Sequence, residues 1–342
     1  MKTNYNWTLK DAEFAKDKGT VFSCFACGGG STMGYKLAGF DVIGCNEIDP
    51  KMMDCYKANH NPKYAYLEPI QTFKDRDDLP EELYNLDILD GSPPCSSFSI
   101  AGNREKDWGK EKKFREGQAE QVLDTLFFDF IELAKKLQPK VVIAENVKGM
   151  LLGDAQQYVD KVLTAFDGAG YYVTYTLLDA SKMGVPQRRE RVFFTAIRKD
   201  IYKGDFADLF QTEPVLDLYF NGVDIPFSQF REETTGRPLN GKMLHYWGEC
   251  LPGDSFSTVH PKGSYFNEVK LHPDQALPTL RASGSPYDYI HPRPLTDMEN
   301  CCGGSYPSDY NFKTNKPAYL IGMSVPPLMT AGVANRVLEQ WL

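Results

Sequence analysis

The sequence of 342 residues lacks any apolar run close to the roughly 18 residues that a membrane-spanning helix needs. Residues 1–19 are polar and charged, and they lack the apolar centre of a secretory signal peptide. The chain also lacks internal repeats and low-complexity tracts. We therefore expect a protein that makes no membrane contact and is located in the cytoplasm.

Cysteine is too scarce for a disulfide scaffold, since the whole chain holds eight, and this favours a reducing compartment. Cys24 and Cys27 have CxxC spacing, but no second Cys or His pair follows at the spacing of a zinc finger. A thioredoxin-like redox pair is an alternative, although the three glycines that follow fit a ligand-binding loop better. We expect no metal site.

Basic residues are in the minority, because 38 Lys and Arg against 46 Asp and Glu give a net charge of −8. Indiscriminate nucleic-acid binding depends on an excess of Lys and Arg, so this charge argues against it. Segment 101–118 is an exception, with six basic and four acidic residues. Its local charge is typical of a lid over an anionic substrate. A solvated surface loop explains the same composition equally well.

A βαβ pattern lies near the start of the chain. Residues 21–25 predict a buried strand, followed by a Gly-rich turn, a helix at 31–37 and a second strand that ends near Glu47. Glycines let a ligand approach the backbone, and an acid at this place can bind the two ribose hydroxyls. The turn does not match GxGxxG in register. We therefore expect a nucleoside-type cofactor that need not carry a pyrophosphate.

A predicted strand at 86–89 leads into the turn 91–95, which reads Gly-Ser-Pro-Pro-Cys. Pro93 and Pro94 fix the backbone and hold the Cys95 sulfur at the carboxyl end of a strand. Catalytic side chains of parallel sheets collect at this edge. A small buried cysteine is the alternative. The rigid polar turn favours a nucleophile, since a packing cysteine does not need one.

Two other groups are predicted at strand ends. The apolar strand at 140–144 delivers Glu145, a candidate general acid. Three arginines at 188–191 precede a strand at 192–197, and guanidinium groups recognise carbonyl and phosphate oxygens well. Taken singly, Glu145 would more often be a surface residue, and the arginines fit a solvated face as well as a recognition site.

The character of the chain changes after residue 200, since residues 201–320 hold twelve of the 22 prolines and no periodic helical pattern. We predict the α/β class, with a Rossmann-like sheet that carries helices on both faces, and a smaller irregular domain. Residues 1–199 and 317–342 form the predicted catalytic and cofactor-binding domain, and residues 200–316 the irregular one. Other expectations are a helix at 120–137, a short extension or helix at 1–19, and a turn at Gly322 before a C-terminal helix.

Four segments, in this order, resemble the cytosine-C5 DNA methyltransferases. They are the Gly-rich turn with Glu47, the Gly-Ser-Pro-Pro-Cys turn, Glu-Asn-Val at 145–147 and Gln-Arg-Arg-Glu-Arg at 187–191. Ala-Leu-Pro-Thr-Leu at 276–280 resembles the segment near the end of that family's target-recognition domain. The resemblance covers residues 21–197, resumes near 276 and returns at the C-terminus. It implies an S-adenosylmethionine-dependent DNA methyltransferase of the prokaryotic or phage restriction–modification type.

The resemblance gives the catalytic residues their tasks. Cys95 would add to C6 of a cytosine, Glu145 would protonate or hydrogen-bond N3, and Arg191 would hold O2. The base must first be flipped out of the helix, at a cost of roughly a few kcal/mol. Three residues complete the predicted catalytic set in supporting roles: Asn146, Pro94 and Arg189.

Ligand contacts are implied by the resemblance in the same way. The residues expected to bind S-adenosylmethionine are Phe25, Ala26, Cys27, Gly28, Gly29, Gly30, Glu47, Ile48, Ile70, Pro93, Leu126, Ser324 and Val325. The residues expected to contact DNA are Ser97, Ser99, Arg104, Lys110, Lys112, Lys113, Gln118 and Gln187. The expected partners are duplex DNA, bound by a monomer, and a separately encoded restriction endonuclease.

Four departures from the family's pattern leave altered cofactor binding open. Cys27 stands where a glycine is usual and Ser23 where an acid is common, while Pro69 and Met323 replace a usual Asp and a frequent Asn. Two alternative functions also stay open. One branch of the family methylates tRNA with the same catalytic set, and a catalytically silent member would act as a binding protein. The intact catalytic residues argue against the second alternative.

Overall fold

The computed structural model describes residues 5–94, 111–112, 121–122, 125–202 and 214–342. Predictions that fall elsewhere, including every prediction about Cys95, lie outside the described residues. The chain divides into two compact units. We call Phe14–Leu178, Glu190–Tyr219 and Thr330–Leu342 the sheet unit, and Met1–Glu13, Asp179–Arg189 and Phe220–Met329 the irregular unit.

The described strands form one large sheet and one short hairpin. They are β1 (Thr20–Cys24), β2 (Asp41–Glu47), β3 (Tyr64–Leu67), β4 (Ile88–Gly91), β5 (Glu111–Lys112), β6 (Gln121–Val122), β7 (Val141–Val147), β8 (Tyr171–Asp179) and β9 (Glu190–Arg198). The large sheet has seven strands in the order β3-β2-β1-β4-β7-β9-β8, and β5 pairs antiparallel with β6.

The described helices are mostly short. They are α1 (Gly30–Leu37), α2 (Pro50–His60), α3 (Ile70–Lys74), α4 (Leu126–Leu137), α5 (Gln156–Gly168), α6 (Gly241–Glu249), α7 (Asp297–Gly303), α8 (Pro317–Met323) and α9 (Pro327–Gln340). Short 3₁₀ turns lie at Glu81–Asn85, Lys148–Leu151, Gly153–Ala155, Ala180–Met183, Phe227–Gln229 and Phe256–Thr258. Within the described ranges, no helix has both the length and the apolar character needed to cross a membrane.

The strand register brings several strand ends to one edge of the sheet. Strands β1, β2, β3, β4 and β7 are parallel, and Gly91 at the end of β4 pairs with Cys24 of β1 and Ala144 of β7. Strand β9 is antiparallel to β7 and pairs Arg191 with Val147. Its first residues therefore lie at the same edge as the last residues of its parallel neighbours.

The topology creates a switch point between β1 and β4. The chain runs from β1 outward through β2 to β3 and then returns to β4 on the other side of β1. Ligands of open α/β sheets bind outside the carboxyl ends of the strands at such a point. Right-handed crossovers place α1 and α2 on one face and α3 and α4 on the other. The predicted α/β class, with a Rossmann-like sheet covered on both faces, is confirmed.

The main core of the sheet unit lies between the sheet and helices α3 to α5. Phe22 of β1 stacks on Phe73 of α3 with ring centroids 5.4 Å apart. Phe130 of α4 lies so close to the end of β4 that a Cβ on Gly91 would be 2.6 Å from its ring. Each fully buried phenylalanine contributes about 1.5–3 kcal/mol. Gly91 is therefore required for the approach of α4 to the strand that precedes Cys95.

The irregular unit contains a buried network of charged groups. Arg293 is fully buried and donates two hydrogen bonds to Glu299, at 2.7 and 2.9 Å. Asp288 accepts two from Arg231, both at 2.9 Å, and lies 3.2 Å from Arg293. Glu299 also closes a capping box with Thr296 at the start of α7. These pairs tie together segments that share no regular strand ladder.

Several predicted elements are wrong. The helix predicted at 120–137 begins at Leu126, because Gln121 and Val122 pair within the short hairpin. Among the described residues of 1–19 no helix forms, so the short extension is the one of the two alternatives that fits. Helices α6 and α7 lie in the region expected to have none, since they are too short to show a periodic pattern. Gly322 lies inside α8 instead of in a turn.

Candidate functional site

The Gly-rich turn after β1 holds left-handed backbone conformations at three positions. These are Phe25 with φ 52°, Cys27 with φ 49° and Gly29 with φ 95°. A non-glycine residue in this region costs of order 1–3 kcal/mol, and such strain gathers at functional sites. Cys27, where the resemblance leads one to expect glycine, thus keeps a backbone conformation that favours glycine. The departure changes the side chain and leaves the turn in place.

Glu47 at the end of β2 holds this turn through its carboxylate. Its Oε2 accepts a hydrogen bond from the Cys27 N–H at 2.7 Å. Its Oε1 accepts from the N–H groups of Ile48 and Asp49, at 2.9 and 2.8 Å. Burial raises the pKa of Glu47, and the three backbone hydrogen bonds oppose that rise. The acid is therefore fixed next to the turn, with acceptor capacity left on Oε2.

The other residues predicted to bind the cofactor lie in both units. Ile70 is buried at the first position of α3, Leu126 at the first position of α4, and Pro93 just after β4, all in the sheet unit. Ser324 and Val325 are buried just after α8 in the irregular unit, where the Ser324 hydroxyl donates to the carbonyl of Leu320. The cofactor role of all five stays a prediction.

Asn146 fixes the chain that leads into Cys95. Its Nδ2 donates to the carbonyl of Pro93 at 3.1 Å, and its Oδ1 accepts from the Val147 N–H at 2.9 Å. The side chain is buried. Because β4 and β7 are neighbours, this one amide connects the described start of the turn 91–95 to the strand end that carries Glu145. Cys95 itself lies outside the described residues.

Glu145 and Arg191 form an ion pair at this edge of the sheet. Arg191 Nε lies 2.8 Å from Glu145 Oε1, and only 15% and 12% of the two side chains are exposed. Burial lowers the pKa of Arg191, and the Glu145 carboxylate opposes that shift. Arg191 also donates to the carbonyl of Glu190 at 2.7 Å. The pair places a carboxylic acid beside a fixed guanidinium, both of which can bind one polar edge of a planar ligand.

Arg189 and Gln187 are placed differently, in the irregular unit. Arg189 is buried and donates to the carbonyls of Leu280, Gly322 and Ser324, at 3.0, 3.1 and 2.9 Å. These bonds tie together the segments that follow residues 279 and 321. Its predicted support of Arg191 stays a prediction.

Gln187 is buried, with both ends of its amide in use. Its Nε2 donates to the Gly303 carbonyl at 3.0 Å, and its Oε1 accepts from the Leu280 N–H at 2.9 Å. A direct contact with DNA would break these bonds. The segments at 186–188 and 277–279 instead hold each other. The Arg188 N–H donates to the Leu277 carbonyl, the Leu277 N–H donates to the Pro186 carbonyl, and the Thr279 hydroxyl donates to the Arg188 carbonyl.

Most residues predicted to contact DNA cannot be placed. Of Lys112 only the backbone is described, in β5. The remainder lie outside the described residues: Ser97, Ser99, Arg104, Lys110, Lys113 and Gln118.

Asp90 is a buried acid that the sequence reasoning missed. It lies at the third position of β4, pairs in register with Ser23 of β1, and is only 4% exposed. Three hydroxyls donate to its carboxylate: Ser23 at 2.6 Å, Ser31 at 2.9 Å and Tyr35 at 3.1 Å. The signal was an acid inside an otherwise apolar strand, opposite the serine that replaces a common acid.

The site therefore combines a strained turn beside a fixed acid, a rigid approach to a thiol, and an acid–guanidinium pair. In the part of the chain that the structure describes, no group of three or more His, Cys, Asp or Glu side chains could hold a metal ion. The groups present can bind a polyhydroxylated ligand through Glu47, donate or accept protons at Glu145 and stabilise negative charge at Arg191.

One family model and several known proteins match this chain over most of its length. The family model of C-5 cytosine-specific DNA methylases matches residues 19–339. The chain is 37% identical over 312 residues to the type II methyltransferase M.NgoPII of Neisseria gonorrhoeae, which covers 89% of this chain and 82% of that protein. It is 34% identical over 380 residues to M.DdeI of Desulfomicrobium norvegicum, covering 93% and 88%.

Solved structures share the fold at lower identity. A DNMT2 mutant of Spodoptera frugiperda has a TM-score of 0.63 at 17% identity, covering 93% of this chain and 99% of that one. The Dnmt2 methyltransferase of S. pombe has a TM-score of 0.62 at 16% identity, covering 95% and 99%.

Proposed function

Because the chain belongs to the C-5 cytosine-specific DNA methylases, as its motifs predicted, we propose that it transfers a methyl group from S-adenosylmethionine to C5 of a cytosine in duplex DNA. One observation carries the assignment of the site. The strained turn held by Glu47, the start of the Cys95 turn held by Asn146, and the Glu145–Arg191 pair all lie at the same edge of the sheet.

The residues at the switch point fit the cofactor. Glu47 has free acceptor capacity on Oε2 for a ribose hydroxyl, and the turn 25–30 brings its backbone to the crevice outside β1 and β4. Ile48 is partly exposed and would supply apolar surface for an adenine ring, whereas Ile70 and Leu126 are buried and would contact the ring only after the side chains around them move. When bound, S-adenosylmethionine supplies an electrophilic methyl group on a sulfonium sulfur.

Cys95 carries out the first chemical step in this proposal. Cytosine C5 is a poor nucleophile, and addition of the Cys95 thiolate to C6 moves electron density into the ring and toward C5. Glu145 delivers a proton to N3 as the C6–S bond forms, and Arg191 donates to O2, which gains negative charge. After methylation, the C5 proton passes to a base in the solvent, Cys95 leaves as the thiolate, and N3 returns its proton to Glu145, which restores the aromatic base.

The ion pair prepares these two roles. N3 and O2 are neighbours on one edge of cytosine, and Glu145 and Arg191 are neighbours at 2.8 Å. When a base enters the site, contacts from Glu145 to N3 and from Arg191 to O2 replace part of the Glu145–Arg191 contact. Because both side chains are largely buried, a base stacked in the duplex cannot reach them, so the base must be flipped at a cost of about a few kcal/mol.

Domain roles follow from the same proposal. Residues 1–199 and 317–342 would carry the catalytic machinery, and residues 200–316 would recognise the target sequence. The compact units divide the chain differently, since Asp179–Arg189 and the last residues before Thr330 belong to the irregular unit. The boundary between the catalytic region and the target-recognition region is therefore defined by the residues that contact DNA, and not by the two compact units.

Duplex DNA is the proposed substrate of a monomer located in the cytoplasm. The bacterial relatives are named type II methyltransferases, which supports a restriction–modification system with a separately encoded endonuclease. The residues in the basic segment 101–118 are proposed to contact the DNA backbone, because phosphate binding depends on Lys and Arg.

Methyl transfer from tritiated S-adenosylmethionine tests the proposal. We expect transfer to duplex DNA and none to tRNA, with complete loss in Cys95→Ser and retention in the control Cys250→Ser, which changes a thiol of the irregular unit. Transfer to tRNA alone would establish the RNA alternative. Absence of transfer to either substrate would leave the silent binding protein as the correct description.

A further inference from the structure

Asp90 occupies a position between the two turns of the proposed active site. It lies five residues before Cys95 in the sequence and one residue before the end of β4. Its register partner Ser23 lies one residue before the end of β1, just ahead of the Gly-rich turn. The two turns thus leave the sheet from neighbouring strands, and Asp90 and Ser23 are bonded across that gap at 2.6 Å.

The hydrogen bonds of Asp90 enclose the Gly-rich turn from both ends. Ser23 precedes the turn, and Ser31 follows it as the second residue of α1. Both hydroxyls donate to the same oxygen, Asp90 Oδ2, while Tyr35 in the next turn of α1 donates to Oδ1. The strained residues Phe25 and Cys27 lie within the segment that these bonds close.

The donors are all neutral hydroxyls. Across residues 5–94, 125–202 and 214–342, no Lys, Arg or His side chain forms an ion pair with Asp90. A buried carboxylate with no countercharge is expensive, and a core that needed only packing would hold an apolar residue there. A retained acid at this point is typical of a group that fixes functional geometry.

We infer, on the basis of the proposed function, that Asp90 is a positioning residue whose three hydroxyl contacts hold the cofactor-binding turn in register with the turn that carries Cys95. The resemblance places an acid at the position of Ser23, on the neighbouring strand. In this chain an acid stands on the other strand of the β1–β4 pair, at Asp90, and Ser23 supplies a hydroxyl that it binds. Cofactor affinity should therefore depend on the state of Asp90.

The surroundings of Asp90 explain why cofactor affinity would depend on pH. Burial raises the pKa of Asp90 to about 6, the three hydroxyl bonds oppose the rise, and the Glu145 carboxylate adds to it. The titratable groups that face Asp90 are Cys24 on β1, Tyr35 on α1, Tyr56 on α2 and Glu145 on β7.

Protonation turns one acceptor oxygen of Asp90 into a donor. At least one of the three hydroxyls must then rotate or lose its bond. Cofactor binding should weaken as the pH falls through about 6, because only the ionised form accepts all three bonds. This sign distinguishes Asp90 from a group that matters only for packing.

The experiment measures S-adenosylmethionine binding to the full-length protein by calorimetry between about pH 5 and pH 8. The test variant is Asp90→Asn. The matched control is Asp87→Asn, which changes an acid near the start of β4 that pairs with Lys140 at the opposite edge. Thermal unfolding monitored by circular dichroism establishes that each variant is folded at the pH used. Ser23→Ala, which removes one donor, serves as a second variant should Asp90→Asn fail to fold.

We expect the wild-type dissociation constant to rise by up to about tenfold per pH unit below about pH 6. Asp90→Asn should bind about tenfold more weakly at about pH 8, the effect of one lost hydrogen bond to a charged group, with a flat pH profile. Ser23→Ala should weaken binding in the same direction, and Asp87→Asn should follow the wild type. A folded Asp90→Asn protein with wild-type affinity and the wild-type pH profile would overturn the inference. A wild-type protein that binds no S-adenosylmethionine at any pH would overturn the proposed function as well, which separates the two failures.

Discussion

Replacing Glu47 by glutamine should weaken the cofactor site and destabilise the sheet unit by a calculable amount. The wild-type carboxylate accepts three backbone hydrogen bonds, at 2.7, 2.9 and 2.8 Å. A glutamine amide has one oxygen, which can keep the bonds from Ile48 and Asp49. Its NH₂ group then faces the Cys27 N–H, donor against donor.

The magnitude follows from two opposing effects. A hydrogen bond to a charged group contributes about 1.5–3 kcal/mol, and the Cys27 bond is lost. The neutral amide avoids the cost of burying a charge, which is the largest cause of the raised pKa of Glu47. The avoided cost of burying a charge offsets part of the lost hydrogen bond. We therefore expect a net loss of about 1–2 kcal/mol in the free energy of unfolding.

Urea unfolding followed by circular dichroism measures this loss, and calorimetry measures cofactor binding by the same variant. Glu68→Gln is a control, because Glu68 pairs with Arg76 at 3.0 Å near the surface and should cost less than about 1 kcal/mol. Glu47→Asp should also lose the Cys27 bond, since its shorter side chain reaches less far. Glu47→Gln protein with wild-type cofactor affinity would refute the assignment of Glu47 as the ribose-binding acid.

Three other substitutions have equally direct outcomes. Burial raises the pKa of Asp90 from 3.8 to about 6, so the folded state holds this proton more tightly than the unfolded state and stability falls as the pH rises through that window. Urea unfolding measures the difference in unfolding free energy between the wild type and Asp90→Asn. From about pH 4 to pH 7 the wild type should lose about 3 kcal/mol relative to the variant, and a difference that stays constant would contradict this. Glu145→Gln should bind DNA and cofactor normally and lose about 10²–10⁴-fold in turnover in the tritium assay, and unchanged turnover would reject its role at N3. Arg293→Met should cost about 3–5 kcal/mol in unfolding free energy, because it leaves Glu299 buried without its partner. A small effect there would mean that water reaches the network.

That the proposed catalytic residues meet at one sheet edge was predictable, because they lie in short contiguous motifs at strand ends. Glu145 follows an apolar strand that parallels β4, and the antiparallel β9 carries Arg191 back to the same edge. The residue pattern alone could not separate Arg191 from Arg189, two residues earlier, and only the family resemblance gave them different roles. The first pairs with Glu145, whereas the second binds three backbone carbonyls of the irregular unit.

Long-range contacts explain what sequence reasoning missed. An acid inside the apolar strand β4 is visible in the sequence, but no local pattern reveals that the strand register pairs Asp90 with Ser23, 67 residues away. The irregular unit was predicted only as irregular, because its stability depends on pairs such as Arg231 with Asp288, 57 residues apart. Helices α6 and α7 went unpredicted for a related reason, since helices of nine and seven residues show little periodicity.

Covalent trapping on DNA that contains 5-fluorocytosine in place of cytosine tests the central claim most directly. Fluorine at C5 blocks the elimination that releases Cys95, so the complex formed after methyl transfer persists. DNA substituted at every cytosine needs no knowledge of the target sequence. With S-adenosylmethionine present, we predict an adduct whose intact mass equals chain plus DNA strand plus one CH₂ unit, because a methyl group enters and the thiol proton leaves. We predict none from Cys95→Ser. A wild-type chain that methylates ordinary DNA but forms no adduct, or an adduct formed equally by Cys95→Ser, would contradict the account.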